Sequence, residues 1–530
     1  MATGLELDKG YSNYNHIRQY KEMDSQGCIE FRDLYIPGPN EILAETALLA
    51  ECSETAGTFE TPGGVYSYKL ASGADSQGVF QYYFHGFRER HRSIAQACHE
   101  QKDAVVLYTD IRRFYPSVTI EMAKKVWNIA CVNSDLSDKS RELGLKLIEN
   151  YEETSSSHPA LLIGPMFSHL IGNLILREID LRMNEVAPGK YFRYVDDFVI
   201  VAPKQTALEL ENDLSGMLSE MGLGLHPDKR MCVPSSRWLD FERAFEDEET
   251  KVSWKTFIGG LKQLLLLKPE SRHELEARFR EADIRIRPID FSEVVQDSDF
   301  LSRMSSLSKS FGHRMRMSKL SPGQIVSEGL KLRTRYVRKL DEILSQLQAS
   351  DQFGRKMRVP RLRFLLSRLG YLATTEELET ISDAIEGVEE VAIFHDIFKA
   401  LIQRDVSDLL KLGPKAAQMV AQPLKVVPEP VRCSIPNSEN REVSQAYAVL
   451  QLNGVQLKVT DTFPSDEMTT FCNGGYEIAQ LRKSPNMYFR ELACLHGSED
   501  PDLLRWCLES AFDRDEYMVF DMLDYMYMTY

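Results

Sequence analysis

The chain lacks the features that would place it in a membrane, in a disulfide scaffold or among zinc-bound domains. No apolar run approaches ~18 residues, so no membrane-spanning helix is expected. The opening residues, Met-Ala-Thr-Gly-Leu-Glu-Leu-Asp, carry neither a basic segment nor an apolar one, so no secretory signal is expected. The nine cysteines are scattered, without a Cys-x-x-Cys pair. That argues against a zinc ribbon and fits a reducing cytoplasm. A positive balance is missing too: 63 Lys and Arg against 79 Asp and Glu leave a net charge of −16. Such a chain does not coat nucleic acid uniformly, and any nucleic acid needs a local basic track.

What is present is a 530-residue chain, 43% hydrophobic and 27% charged, with core enough for several globular domains. Its charge is segregated. Arg303 to Lys339 holds ten basic residues and one acid, Glu328, and a second basic cluster runs through Arg355, Lys356, Arg358, Arg361, Arg363 and Arg368. Residues 491–530 carry ten acids and two bases. A basic helical face is ordinarily solvated surface, but two clusters in an acidic chain favour contact with nucleic acid.

Residues 1–260 mix strand and helix patterns. Ala104–Thr109 reads as a strand and Pro165–Met183 as a helix. Gln81–Phe87 reads as a strand that leads Arg88, Arg90 and Arg92 into a helix. Beyond about residue 262 strands become scarce. Glu376–Gln403 has apolar residues at helical spacing, Pro414 to Pro436 marks a loop-rich stretch, Tyr447–Thr460 is strand-like, and helical patterns resume at Tyr488. The simplest partition is a mixed α/β domain over 1–260, a basic helical segment over 261–345 and a mainly helical domain over 346–530.

Asp196 and Asp197 interrupt the apolar stretch Tyr191–Ala202, where two strands would meet at a tight turn. Two carboxylates there are either a solvated turn or a charged pair that needs a cation or a proton. Asp110, at the end of the Ala104 strand, is either a strand cap or a third carboxylate converging on the first two. Three such acids can hold two Mg²⁺ ions for phosphoryl transfer, Mn²⁺ being able to substitute.

These segments resemble the ordered motifs of reverse transcriptases. Asp110-Ile-Arg-Arg-Phe-Tyr-Pro-Ser-Val looks like motif A, Gly164-Pro-Met-Phe-Ser168 with Asn173 like motif B, and Tyr194-Val-Asp-Asp197 is the YxDD of motif C. Leu223-Gly-Leu-His-Pro-Asp-Lys229 looks like motif D and Phe257-Ile-Gly-Gly260 like motif E, the primer grip. The likeness covers roughly residues 60–260. It implies an α+β right-hand polymerase of fingers, palm and thumb, and the helical patterns of the mainly α-helical C-terminal domain could pair into a HEAT-like array without a clean period. It further implies an RNA-directed DNA polymerase that uses dNTPs, an RNA template or non-coding RNA, and a homo-oligomeric assembly.

The residue roles follow from the same resemblance. Asp110 and Asp196 would bind both metals, assisted by Asp197 and the Ile111 carbonyl, and Lys229 would donate a proton to pyrophosphate. Phe114, Gly164 and Ser168 would line the nucleotide, with Gly164 allowing close backbone approach. Tyr115 would be the steric gate that selects deoxynucleotides. Arg88 and Arg92, with Lys69 on a preceding strand, would cradle the triphosphate. Phe257, Gly259 and Gly260 would grip the primer.

Ile163 stands where most family members place a Gln, so the usual nucleotide-side contact is missing. The Phe-Tyr-Pro-Ser of motif A and the long helical extension are similar to the abortive-infection and unknown-group branch associated with antiphage defence. Several members of that branch prime DNA on a protein hydroxyl. Tyr517, Tyr525, Tyr527 and Tyr530 would offer such a hydroxyl, giving a covalently attached DNA product. They read equally as packed aromatics of a terminal amphipathic helix. A mobile-element enzyme copying a long RNA template, and an inactive nucleic-acid-binding scaffold, are the competing readings.

Overall fold

The structure is a computed structural model. It describes residues 14–23, 26–55, 57–71, 78–81, 83–101, 103–154, 161–245, 248–291, 320–435, 440–460, 467, 469–470 and 481–495. At its centre is a four-stranded antiparallel sheet in the order β4-β5-β3-β6, formed by β3 (Ala104–Asp110), β4 (Tyr191–Tyr194), β5 (Asp197–Pro203) and β6 (Met231–Pro234). After Asp197, strand β5 is apolar because both faces of the sheet are covered. Phe198, Ile200 and Ala202 pack on one side with α6 (Met166–Val186) and α7 (Lys204–Glu220). Val199 and Val201 pack on the other with Val106, Phe192 and Trp238 of α8 (Ser235–Phe245), and with Ile94, Ala97 and Cys98 of α2 (Tyr83–Glu100). Each fully buried side chain of this size contributes roughly 1.5–3 kcal/mol by leaving water.

An N-terminal hairpin, β1 (Tyr14–Met23) and β2 (Ile29–Pro37), bridges two cores. Tyr14 and Tyr35 join the core under α6, while Ile17, Tyr20 and Leu34 join the larger core of the C-terminal helices. Gln445 locks this docking: its side-chain amide donates to the His16 carbonyl at 2.7 Å and its oxygen accepts from Arg18 N at 3.3 Å. The remaining N-terminal helices are α1 (Pro39–Glu54), α3 (Phe114–Ser117), α4 (Ile120–Val132) and α5 (Asp138–Thr154), followed by α9 (Glu248–Leu267) and α10 (Arg272–Glu281). The C-terminal region is built from α11 (Pro322–Gln348), α12 (Gln352–Leu372), α13 (Thr375–Ala384), α14 (Ala392–Gln403), α15 (Pro414–Leu424), α16 (Arg441–Leu452) and α17 (Met487–Leu495), with a small parallel pair, β7 (Val431–Cys433) and β8 (Leu457–Val459).

Several expectations are corrected here. The boundary at 260 falls inside α9 and that at 345 inside α11. Gln81–Phe87 is not a strand: α2 begins at Tyr83, with Phe87 packed edge-on against Tyr194 of β4 and His91 stacked on Trp238 of α8. Lys69 lies between isolated bridges rather than on a strand. Pro414 opens a helix instead of breaking one, since the first helical position needs no N–H. In Tyr447–Thr460 only Leu457–Val459 is extended, and the first half belongs to α16. The helical pattern over Glu376–Gln403 is two helices, α13 opened by a capping box at Thr374 and Glu377, and α14 after a break.

The second basic cluster is not an open track. Arg355 forms a bidentate pair with Glu390 at 2.7 and 2.8 Å. Arg363 donates to the Glu390 carbonyl at 2.8 Å, and Arg368 is buried with its guanidinium 4.0 Å from the Phe364 ring centre. Nearly all of α12 is enclosed, so its bases need partners inside the protein. Of the first cluster, residues 303–319 lie outside the described residues, and Arg333 donates to the Leu372 and Ala282 carbonyls.

Candidate active site

Antiparallel register brings the three aspartates together. Asp110 pairs across the sheet with Asp197, the last pair in the β3–β5 ladder. Ile111 N donates to the Asp196 carbonyl at 3.1 Å, so the chain after β3 runs against the β4–β5 turn. Side chains alternate along a strand, so Asp110 faces the same side as Tyr108 and Val106, and Asp197 the same side as Val199.

The turn carrying Asp196 is strained and held. Val195 has φ of 55°, unusual for a β-branched residue. Its N–H donates to Ser67 Oγ at 2.7 Å, and its carbonyl accepts from Arg193 at 2.7 Å. Arg193 in turn forms a bidentate pair with Asp180 of α6 at 2.7 and 2.6 Å and donates to Asn173 Oδ1 at 3.1 Å. Tyr191 also donates to Asp180. The pair is fully buried, with Arg193 1% and Asp180 0% exposed. This network ties α6 to the Asp196 turn, and Asn173 completes it by donating to the Ser67 and Tyr68 carbonyls.

Lys229 is brought in by the segment that follows α7. His226 N donates to the Asp110 carbonyl at 2.7 Å and Arg112 N to the Gly224 carbonyl at 2.8 Å. Lys229 Nζ then lies 2.5 Å from Asp110 Oδ2. Burial, and next the Asp110 and Asp197 charges, push the Asp196 carboxyl up to about 7. Burial and Asp197 raise Asp110, opposed by Lys229. Lys229 itself is held protonated, because its contact with Asp110 outweighs its own desolvation. Among the described residues no three acidic, His or Cys side chains are gathered closely enough to hold a metal ion as they stand. In this form a lysine holds the Asp110 oxygen that a cation would take. The donor chemistry still suits a hard divalent cation: carboxylate oxygens at neighbouring strand ends, with Asp110 and Asp196 raised by burial and by the adjacent acids.

The other expected residues scatter. Tyr115 is buried, and its hydroxyl shares a 2.6 Å hydrogen bond with His169 Nδ1. His169 stacks on Tyr68 with ring centres 3.8 Å apart, and burial lowers its pKa to about 3, so it is neutral. Phe114 packs beside Gly172 in the same core. Ser168 is fully buried and accepts from Leu162 N, closing the turn before α6. Gly164 has φ of 123°, and a Cβ there would lie 2.4 Å from the Tyr35 carbonyl oxygen. Its close approach is therefore to β2, where Tyr35 N donates to the Ile163 carbonyl. Lys69 pairs with Glu89 at 3.2 Å, and Arg88 and Arg92 are not brought to the carboxylates by any described contact. Arg90, between them, is: its guanidinium donates to the Asp197 carbonyl at 3.2 Å. Phe257, Gly259 and Gly260 sit within α9, with Phe257 in the C-terminal core rather than in a hairpin beside the aspartates. Tyr517, Tyr525, Tyr527 and Tyr530 lie outside the described residues.

Arg90, His169, Arg193 and Asp180 were not singled out from the sequence. Arg90 lies one helical turn from Phe87, which packs edge-on against Tyr194 at 5.7 Å, and the sequence alone does not separate it from Arg88 and Arg92.

No family model matches the chain, and no curated protein matches it. Among solved structures it is similar to the telomerase from Candida albicans in complex with the TWJ fragment of telomeric RNA, at 10% identity and a TM-score of 0.29. The match covers 78% of this chain and 64% of that one, so this chain spans less than two thirds of the telomerase chain. At this level of likeness the site's own geometry carries the functional reading.

Proposed function

We propose that the chain is a nucleotidyltransferase of the reverse-transcriptase kind, adding deoxynucleotides at the Asp110, Asp196 and Asp197 site. One observation carries this reading. Three acids from two motifs, 86 residues apart (196 minus 110), meet at adjacent strand ends with a protonated lysine on one of them. Carboxyls at Asp110 and Asp196 raised by burial and by neighbouring acids favour a functional site over a structural one.

Mg²⁺ or Mn²⁺, held by Asp110, Asp196, Asp197 and the Ile111 carbonyl, would activate the attacking hydroxyl and offset charge on the leaving pyrophosphate. Lys229 keeps a proton available at Nζ for that leaving group, and Asp110 sets its position. The Arg193–Asp180 pair fixes the turn so that Asp196 need not reorganise. Tyr115, oriented by neutral His169, is the residue we assign to exclusion of a 2′-hydroxyl. The motif resemblance and the helical C-terminal region support a role in antiphage defence, and the terminal tyrosines would be the priming hydroxyls.

The test is dNTP incorporation by the full chain with Mg²⁺, comparing wild type with the Asp196→Ala, Asp197→Ala double variant. A loss of about 10³-fold or more is expected, the scale of removing charge stabilisation at a transition state. Equal incorporation by both proteins would overturn the reading. Mass analysis of the product for covalently attached protein tests the priming assignment separately.

A further inference from the structure

The sheet face that carries the carboxylates also carries two cations that its own residues leave underused. Arg90 is 5% exposed and makes one described hydrogen bond, to the Asp197 carbonyl, while its Nε is buried without a partner. The second cation is Lys356, from the first turns of α12. Its ammonium lies 4.5 Å from the centre of the Tyr108 ring, and among the described residues it has no hydrogen-bond or ion-pair partner. Tyr108 precedes Asp110 by two residues and faces the same side, so Lys356 stands on the carboxylate side of the sheet, near enough to feel the Asp197 and Asp110 charges.

The placement of Lys356 is enforced. Asp351 caps α12 by accepting from Gly354 N at 3.0 Å and forms a bidentate pair with Arg237 of α8 at 2.6 and 2.8 Å. Gln352 donates to the Asp228 carbonyl at 2.8 Å, beside Lys229. Phe353 packs edge-on against Phe241 with centres 5.1 Å apart. The first turn of α12 is thus clamped to both α8 and the Lys229 turn, and Lys356 follows from it.

Lys356 is not simply the counter-charge of the aspartates. Lys229 already contacts Asp110, and Lys356 reaches neither Asp110 nor Asp197 closely enough for an ion pair. Asp197 and Asp110 attract Lys356 without contacting it, while Arg90 and Lys229 repel it. Cations left with unmet donors favour an anion that brings the missing acceptors.

We infer that Lys356 and Arg90 form a phosphate-binding subsite beside the carboxylates, so that the helical C-terminal region supplies part of the reaction centre. The phosphate belongs to an incoming nucleotide or to the strand being extended. That choice of source rests on the nucleotide-transfer reading, whereas the anion site itself does not.

The experiment is calorimetric titration of the full chain with inorganic pyrophosphate in the presence of a metal chelator. Wild type should bind. Lys356→Gln should weaken binding about tenfold, the scale of one charge-assisted hydrogen bond. Lys356→Arg should retain most of the affinity. Arg358→Gln, whose guanidinium instead covers Phe241, should not change it. Displacement of pyrophosphate by dATP assigns the nucleotide as the source, and displacement by a single-stranded oligodeoxynucleotide assigns the strand. Absence of binding by wild type, binding by Lys356→Gln within twofold of wild type, or an equal loss in Arg358→Gln would overturn the inference. If Asp196→Ala, Asp197→Ala left incorporation intact while Lys356→Gln lost pyrophosphate, the transfer reading would fail and the subsite would stand.

Discussion

The two sides of the central sheet handle buried charge in opposite ways. On the α6 side, Arg193 and Asp180 satisfy each other in two hydrogen bonds, and the spare donors of Arg193 reach Val195 and Asn173. On the α2 and α12 side, Asp110 and Asp197 stand side by side, Arg90 keeps an unpaired Nε, and Lys356 has an aromatic face in place of an acceptor. Buried charge closed on itself holds a shape. Buried charge left open favours a ligand that carries the missing partners.

The sharpest way to break that contrast is to open the closed side. Asp180→Ala strands the Arg193 guanidinium in the core and should cost about 3–5 kcal/mol of unfolding free energy, read by denaturant titration. Replacing both partners, Asp180→Leu with Arg193→Met, should recover most of that stability, because no charge is left buried. Incorporation should stay low in the double variant, since the Val195 carbonyl has lost its donor and the Asp196 turn its tether. A double variant that regains full activity would show that the pair matters to folding alone.

A second buried acid sharpens the contrast through pH. Glu45 of α1 is fully buried and accepts from Phe167 N at 3.2 Å and from the Tyr151 hydroxyl at 2.9 Å, so it caps the start of α6 from a neighbouring helix. Burial raises its pKa to about 7. Below about 4.5 it is protonated in both folded and unfolded chains, and its contribution to stability is complete. Between about 4.5 and 7 the unfolded chain loses the proton first, so stability falls as pH rises, by about 3 kcal/mol over that window. Glu45→Gln keeps an acceptor for Phe167 N and cannot ionise. The difference between the unfolding free energies of variant and wild type should therefore grow from pH 4.5 to 7 and then level off. A constant difference would show that Glu45 is already ionised in the fold.

The central sheet and its carboxylates were legible because the signals there are local. A fully buried strand reads as an unbroken run of Phe, Val, Ile and Ala, and an acid pair at a hairpin stands out within it. Asp110 and Lys229 were legible through motif order. Arg90 was hidden among three arginines at the start of α2, because only the packing of Phe87 on Tyr194 decides which of them turns inward. Lys356 was hidden for a different reason. It reaches the site across 159 residues of chain from Asp197 (356 minus 197), through contacts of α12 with α8 that no periodicity encodes. The stretch after Gln81 misled because an aromatic such as Phe87, packed from a helix onto the sheet, looks like a strand residue in sequence. Proline at 414 misled because its meaning depends on whether it stands before a helix or within one.

The smallest expected effect comes from the residue next to Lys356. Arg355 and Lys356 are adjacent in one basic cluster and alike in sequence terms, yet they turn to different surroundings. Arg355 meets Glu390 in two hydrogen bonds, with both side chains about a third exposed. Water and salt screen such a pair, and its loss should cost about 1 kcal/mol or less. Arg355→Gln should accordingly shift the unfolding midpoint slightly, more at low salt than at high, and leave pyrophosphate binding and incorporation at wild-type levels. Lys356→Gln should do the reverse, with stability kept or improved by removal of a partly desolvated ammonium and phosphate affinity lost. If the two variants behaved alike in binding, the cluster would act as a diffuse field around the sheet, and the specific geometry of Lys356 over Tyr108 would carry no weight.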